Sequence, residues 1–263
     1  MTKVYLDNNV LVDIEEGKSN LSDFLSLENV EYYFSSAHIG ELIEGRNLKL
    51  LSIDNRLSLM EKLCQTNYIH SGFTLPEICK KTPKEIYEIE NLPEIMYIRC
   101  ILNNSVSNFI VDRDEFLEIL RIRKIDINNI PPQHILNKLD NALSTMDDND
   151  EKMNINNYLK ATDAIGRAVF STLFNLLDFA CYYKDKQTAH SDIARMYDAS
   201  HAYCAQLCDF FVSQDKRMRY KTEAVYSYLG IGTKIMSTAE YIMDCFENED
   251  LREKFSNFET SRV

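Results

Sequence analysis

Four acidic residues stand where carboxylates could hold a cation. Asp7 follows the β-type run Lys3-Val4-Tyr5-Leu6, and Asp215 follows the apolar run Phe210-Phe211-Val212 after Ser213 and Gln214. Glu41 and Asp198 lie in AHIGELIEG and DIARMYDASHAYCAQLC, both with the apolar spacing of helices. Hard divalent cations take oxygen ligands, and Mg²⁺ binds through one or two carboxylates while keeping several waters. Two such ions about 4 Å apart can activate a water and stabilise the leaving oxygen of a phosphodiester, without a nucleophilic serine or histidine. Each acid taken singly has a plainer role. Asp7 and Asp215 read as N-caps of the helices that follow them, Asp198 as a cap or polar surface residue, and Glu41 as part of a solvated face.

The elements that must position these acids are strand-to-helix units. Residues 3–6 run straight into helical Val10-Leu11-Val12-Ile14, and VEYYFSS at 30–36 runs into AHIGELIEG. After residue 190 the same grammar returns: a helix, the strand DFFVS, the helix DKRMRYKTEAVYSYLG, the strand GTKIMS and the helix TAEYIMDCF. Such alternation predicts an α/β fold with a parallel sheet flanked by helices. In that architecture ligands gather at the carboxyl ends of the strands, near the point where strand order reverses.

Between these parts, residues 46–189 read as helical, punctuated by Pro76, Pro83, Pro93, Pro131 and Pro132. The expected division is therefore 1–45, a large α-helical insertion over 46–189, and 190–263. The stretch from Tyr158 to Lys186 is expected to form one long, mostly apolar helix. Its core AVFSTLFNLLDFACYY carries Asn175 and Asp178 and falls short of the roughly 20 apolar residues of a membrane span, so it reads as buried core. DDNDE at 147–151 reads as a solvated turn.

The seven cysteines are odd in number, show no CxxC and follow no secretory leader, which suggests reduced thiols in a cytoplasm. Cys204 and Cys208, one helical turn apart, read as packing rather than as half a zinc site. A formal charge of −12 disfavours wholesale binding to nucleic acid and leaves room only for a local basic patch. Other phosphate chemistries lack their parts. There is no glycine-rich turn followed by Lys-Ser or Lys-Thr, and Asn9 stands where a haloacid-dehalogenase-like site needs a second Asp two positions after the first.

In order and setting, the four acids resemble the PIN domain, a metal-dependent nuclease fold of toxin ribonucleases and RNA-processing enzymes. VYLDNNVLVD resembles its opening strand, with Asp7 and Asn9; SSAHIGELIEG its helix carrying Glu-Leu, with Glu41; DASHAYCAQLCD its Asp-Ala-x-His helix, with Asp198 and His201; and FFVSQD its apolar strand followed by Ser-x-Asp, with Ser213 and Asp215. The resemblance covers 1–45 and 190–263. It implies Mg²⁺ or Mn²⁺ held by Asp7, Glu41, Asp198 and Asp215, and hydrolysis of RNA, less often DNA. Asn9 and Ser213 would orient a bound water or the Asp7 carboxylate. Lys216, Arg217, Arg219 and Lys221 would meet the phosphate backbone, with Arg121, Arg123 and Lys124 as a weaker candidate, or would simply form a solvated face. His201 reads as a packed histidine bonded to backbone. His38 and Glu41, one turn apart, could pair on a metal, with no second histidine expected to converge on them. A regulated toxin or defence effector fits, with the insertion open to a protein partner or a second copy. The alternative is a catalytically inactive PIN-like binding or assembly module.

Overall fold

The computed structural model describes residues 1–45, 53–72, 74–95, 117–118, 124–145, 154–184 and 189–245. Among these residues, six strands form one sheet: β1 (Thr2–Leu6), β2 (Val30–Ser35), β3 (Asn67–His70), β4 (Glu77–Lys80), β5 (Phe210–Val212) and β6 (Lys234–Met236), in the order β4-β3-β2-β1-β5-β6. All neighbours are parallel except β3 and β4, which pair antiparallel at the edge. Parallel neighbours need crossover connections. These are α1 (Asn8–Glu15) and α2 (Leu21–Leu25) between β1 and β2, α3 (Ser36–Ile43) and α4 (Ile53–Cys64) between β2 and β3, and a helix at Lys216–Leu229 between β5 and β6.

Period-two alternation sorts the strand side chains onto two cores. Val4, Leu6, Tyr32, Phe34, Tyr68 and Val212 face one side, packed with Val10 and Leu11 of α1 and with Met60 and Leu63 of α4. Tyr5, Tyr33, Ile69 and Phe211 face the other, beneath helices from later in the chain. Those helices are α6 (Pro132–Ser144), α7 (Ile155–Ala161), α8 (Arg167–Phe179), α9 (Ala189–Ala205) and α10 (Lys216–Leu229); α5 (Pro83–Glu90) follows β4, and Lys124–Asn129 is a 3₁₀ segment. Residues 238–245 are helical and bring Tyr241 into the first core. Among the described residues no helix is long and apolar enough to cross a membrane.

Two expectations fail locally. Residues 46–189 are not helical throughout, because β3 and β4 fall inside them. Gln65 takes a left-handed φ of 54° and ends α4, freeing Asn67–His70 to extend and pair with β2. Nor is 158–186 one helix. Asp163 and Gly166 adopt φ values of 47° and 53°, so α7 stops at Ala161 and α8 starts at Arg167. The α8 segment is nevertheless core, with Phe170, Leu173, Phe174 and Leu177 buried, and Cys204 and Cys208 are buried free thiols as expected. The DDNDE run, Arg121 and Arg123 lie outside the described residues.

The chain builds outward from β1 through β2 to β4, then returns to the opposite side of β1 with β5 and β6. Strand order thus reverses between β1 and β5, and the carboxyl ends of this pair open the crevice where ligands of such sheets bind. Leu6 pairs with Val212 in the register, so the chain leaves the two central strands at Asp7 and Ser213 together.

Candidate functional site

Asp7 is buried at that crevice and is the N-cap of α1. Its Oδ1 accepts from the Asn8 backbone N–H at 2.8 Å, while its Oδ2 accepts from Asn9 Nδ2 at 2.5 Å and from the Ser213 hydroxyl at 2.7 Å. Ser213 Oγ in turn accepts from Asn9 Nδ2 at 3.0 Å and from the Asp215 N–H at 3.2 Å, and Asn9 Oδ1 accepts from the Gln214 N–H at 2.9 Å. Asn9 and Ser213 therefore fix the Asp7 carboxylate and lace the end of β5 to the start of α1. Asp215 caps α10, accepting from the N–H groups of Arg217 and Met218. The cap readings of Asp7 and Asp215 are both correct, and capping holds each carboxylate still.

Glu41 arrives on α3. Ser35 caps this helix and His38 closes a capping box, its Nδ1 accepting from the Ser35 N–H at 3.1 Å. That bond fixes the tautomer. The His38 Nε2–H then donates to the Leu6 carbonyl at 2.7 Å, tying α3 to the strand end that delivers Asp7. His38 is thus consumed in structure and is not offered to a metal with Glu41. Arg56 of α4, also buried, grips Glu15 with two nitrogens and donates to Asn8 Oδ1 at 2.8 Å, steadying α1 from the other side.

Asp198 and His201 come from α9, three residues apart. A second histidine does converge, against expectation, and it is not bonded to backbone. His201 lies edge-on to His38, ring centroids 4.6 Å apart. Its Nε2 stands 3.3 Å from Glu41 Oε2 and 4.0 Å from Asp7 Oδ1, and its Nδ1 is 2.8 Å from the Tyr5 hydroxyl, which also bonds Ser35 Oγ at 2.6 Å. Burial pushes the His201 pKa down, but the Glu41 bond and the charges of Glu41, Asp7 and Asp198 outweigh it and leave it raised. Burial holds His38 well below the usual histidine value, helped by His201. Asp7 is raised by burial and by Glu41, against the lowering pull of His201, Ser213 and Asn8.

The histidines predict a pH dependence. A group whose folded pKa is raised stabilises fully below its unfolded value and loses that contribution as pH climbs through the folded one. His201 therefore destabilises the metal-free protein as pH rises from about 6.5. His38, shifted down, costs stability only below that value. Melting temperature in EDTA is expected to fall above pH 6.5 in the wild type and to flatten in His201→Gln.

Gly40 sets the spacing of α3 and α9. A Cβ there would lie 2.7 Å from the Tyr197 ring, which is buried and anchored by a 2.7 Å bond to Glu44. Gly40→Ala gains about 1 kcal/mol of helix propensity but meets an overpacking cost of about 1–3 kcal/mol. A net loss in urea unfolding is expected, together with a wider Glu41–His201 gap.

The basic cluster does not stand as expected. Lys221 is buried and ion-paired with Asp178 at 3.5 Å, so it cannot meet phosphate. Arg219 is half-buried and donates to the Ser213 carbonyl at 2.7 Å, bracing the β5–α10 turn. Lys216 and Arg217 are exposed, with Arg217 3.4 Å from Asp215.

The sheet thus brings Asp7 and Glu41 onto one histidine, sets Asp198 where its charge reaches that histidine, and links Asp215 to Asp7 through Ser213. As they stand, no group of three or more His, Cys, Asp or Glu side chains among the described residues is placed to hold a metal ion. Tyr5, Ser35 and Arg56 were not singled out by spacing, since each looks like an ordinary core or helix residue until the partners are known, and His38 was singled out as a metal partner of Glu41 rather than as a cap. Comparison with protein-family models, with curated proteins and with solved structures returns no significant match.

Proposed function

We propose that the chain is a PIN-like, divalent-metal-dependent endonuclease that hydrolyses phosphodiester bonds, in RNA before DNA, as a regulated toxin or defence effector. One observation carries this reading: two carboxylates, Asp7 and Glu41, converge on His201 at the strand-order reversal of a parallel sheet, and a third, that of Asp215, caps α10 from the adjoining strand end, its backbone N–H bonded to Ser213. The donors are all hard oxygens, the chemistry Mg²⁺ or Mn²⁺ takes. The Asp7 carboxylate is already hydrogen-bonded by Asn9 and Ser213, as ligating carboxylates are. Asp7 and Asp215 are the principal ligands, with Glu41 and Asp198 completing the set. The cation supplies the charge that activates water and stabilises the leaving oxygen. Asn9 and Ser213 keep Asp7 aimed, and His201 holds Glu41 through Nε2–H.

A second reading, a non-enzymatic binding or assembly module, is favoured by one feature: the His201 imidazole lies between Glu41 and Asp7, where its own charge can balance theirs. Cleavage of mixed RNA and single-stranded DNA with Mn²⁺ or Mg²⁺ separates the two. The nuclease cuts, stops in EDTA, and is lost in Asp215→Asn. No cutting and no Mn²⁺ binding would leave the assembly module.

A further inference from the structure

Tyr183 and Tyr220, the second on the helix that Asp215 caps, form a pair that the site itself does not use. Their ring centroids are 4.4 Å apart at 36°, and Tyr182 stands edge-on to Tyr183 at 4.9 Å. The Lys216 ammonium lies 5.4 Å from the Tyr220 ring centroid and 6.0 Å from that of Tyr183. Both rings are only half-buried, and Lys184 and Lys216 beside them are exposed. Both rings pack one side against the larger core and leave the other side to solvent. Tyr183 takes a left-handed φ of 44°, two residues after Cys181 at 61°, and the turn is fixed by the Tyr183 N–H donating to Asn128 at 2.7 Å. A non-glycine residue in that region is strained and persists where surroundings impose it, often at ligand clamps.

The location supplies the ligand. Lys216 and Tyr220 are one turn apart on α10, the helix that Asp215 caps. Five residues separate Tyr220 from Asp215, about 7.5 Å along the axis, roughly two base rises of 3.4 Å. Aromatic faces with flanking cations are how proteins hold unpaired bases: the rings stack and the lysines meet phosphate. Duplex RNA keeps its bases stacked inside and offers none to such a surface.

Building on the RNA-nuclease reading, we propose that Tyr183, Tyr220 and Lys216 form a stacking platform that takes an unpaired base of single-stranded RNA next to the cleavage site. The Lys216 ammonium moves from the rings to a phosphate as the base arrives, and Lys184 and Arg217 extend the cationic path.

The test is fluorescence anisotropy of a labelled 12-nucleotide RNA and its duplex on the full chain in EDTA, where binding is read without cleavage. Leucine keeps apolar bulk without a π-face, so Tyr183→Leu and Tyr220→Leu are expected to fold, as melting curves check, and to weaken single-strand binding about tenfold or more. Tyr220→Phe keeps the ring and is expected to bind within about twofold of wild type, since stacking needs no hydroxyl. Duplex binding is expected to be weaker and indifferent to these changes. Leucine variants that bind like wild type, Tyr220→Phe as weak as Tyr220→Leu, or a wild type that binds no single strand would overturn the platform. If the wild type cuts RNA while the leucine variants bind normally, the platform alone falls. If tyrosine-dependent binding is found but no metal supports cutting, the nuclease reading alone falls.

Discussion

Asp7→Asn is expected to remove metal-dependent cleavage while leaving the protein close to wild-type stability. The carboxamide keeps an oxygen for the Asn8 N–H, so α1 keeps its cap, but it cannot carry the charge that holds a cation. Residues that merely support a metal ligand cost 10–100-fold when changed, so loss of a principal ligand should exceed about 100-fold. The stability side follows from sign. Burial raises the Asp7 pKa above its unfolded value despite His201, Ser213 and Asn8, so the native state gains stability as pH falls and its ionised Asp7 opposes folding at neutral pH. Asparagine removes that opposition, but its Nδ2 faces the Asn9 and Ser213 donors that Oδ2 accepted from, so gain and loss offset. Cleavage assays beside melting curves at pH 7 check both halves. A variant that melts lower and still cuts would reduce Asp7 to a helix cap.

The largest stability loss is expected at Asp178→Ala, far from the candidate chemistry. Asp178 on α8 is fully buried, with Arg195 of α9 at 3.2 Å and Lys221 of α10 at 3.5 Å. Arg195 also donates to Asn175 at 3.0 Å. One carboxylate thus pins three helices, two of which carry Asp198, His201 and Asp215. Removing one side of a buried ionic group leaves the other charges uncompensated, at about 3–5 kcal/mol. That is a large part of the roughly 5–15 kcal/mol that holds a typical domain. Urea unfolding should show this loss as a lower midpoint at unchanged slope. A loss under about 1 kcal/mol would mean that water or rearranged partners solvate Arg195 and Lys221 in the native state.

The strands that deliver the acids were legible because β-branched and aromatic runs ended on polar residues at once followed by helical spacing. That held for Val4-Tyr5-Leu6 before Asp7 and for Phe210-Phe211-Val212 before Ser213. Strand β3 was hidden because Tyr68 and Ile69 also fit the helical spacing of α4, and only the left-handed Gln65 breaks the run. Strand β4 is mostly exposed and offers little apolar pattern. The break before α8 depends on two positive-φ residues, of which only Gly166 is a type that signals one. In the site, Asn9 and Ser213 were visible through the resemblance, which expects such residues two positions from Asp7 and Asp215. His201 was misassigned because its partners, Tyr5 and Glu41, lie 196 and 160 residues away. Lys221 looked like one of four similar cations, but helical geometry turns it inward to Asp178 while Lys216 and Arg217 stay in solvent.

Asp7 and its neighbouring acids are proposed to bind a divalent cation. Calorimetric titration of the metal-free protein with Mn²⁺, in parallel with Asp7→Asn, tests it most directly. Saturable binding in the wild type, lost in the variant, is the predicted result. No binding in the wild type, or equal binding in both, would contradict it.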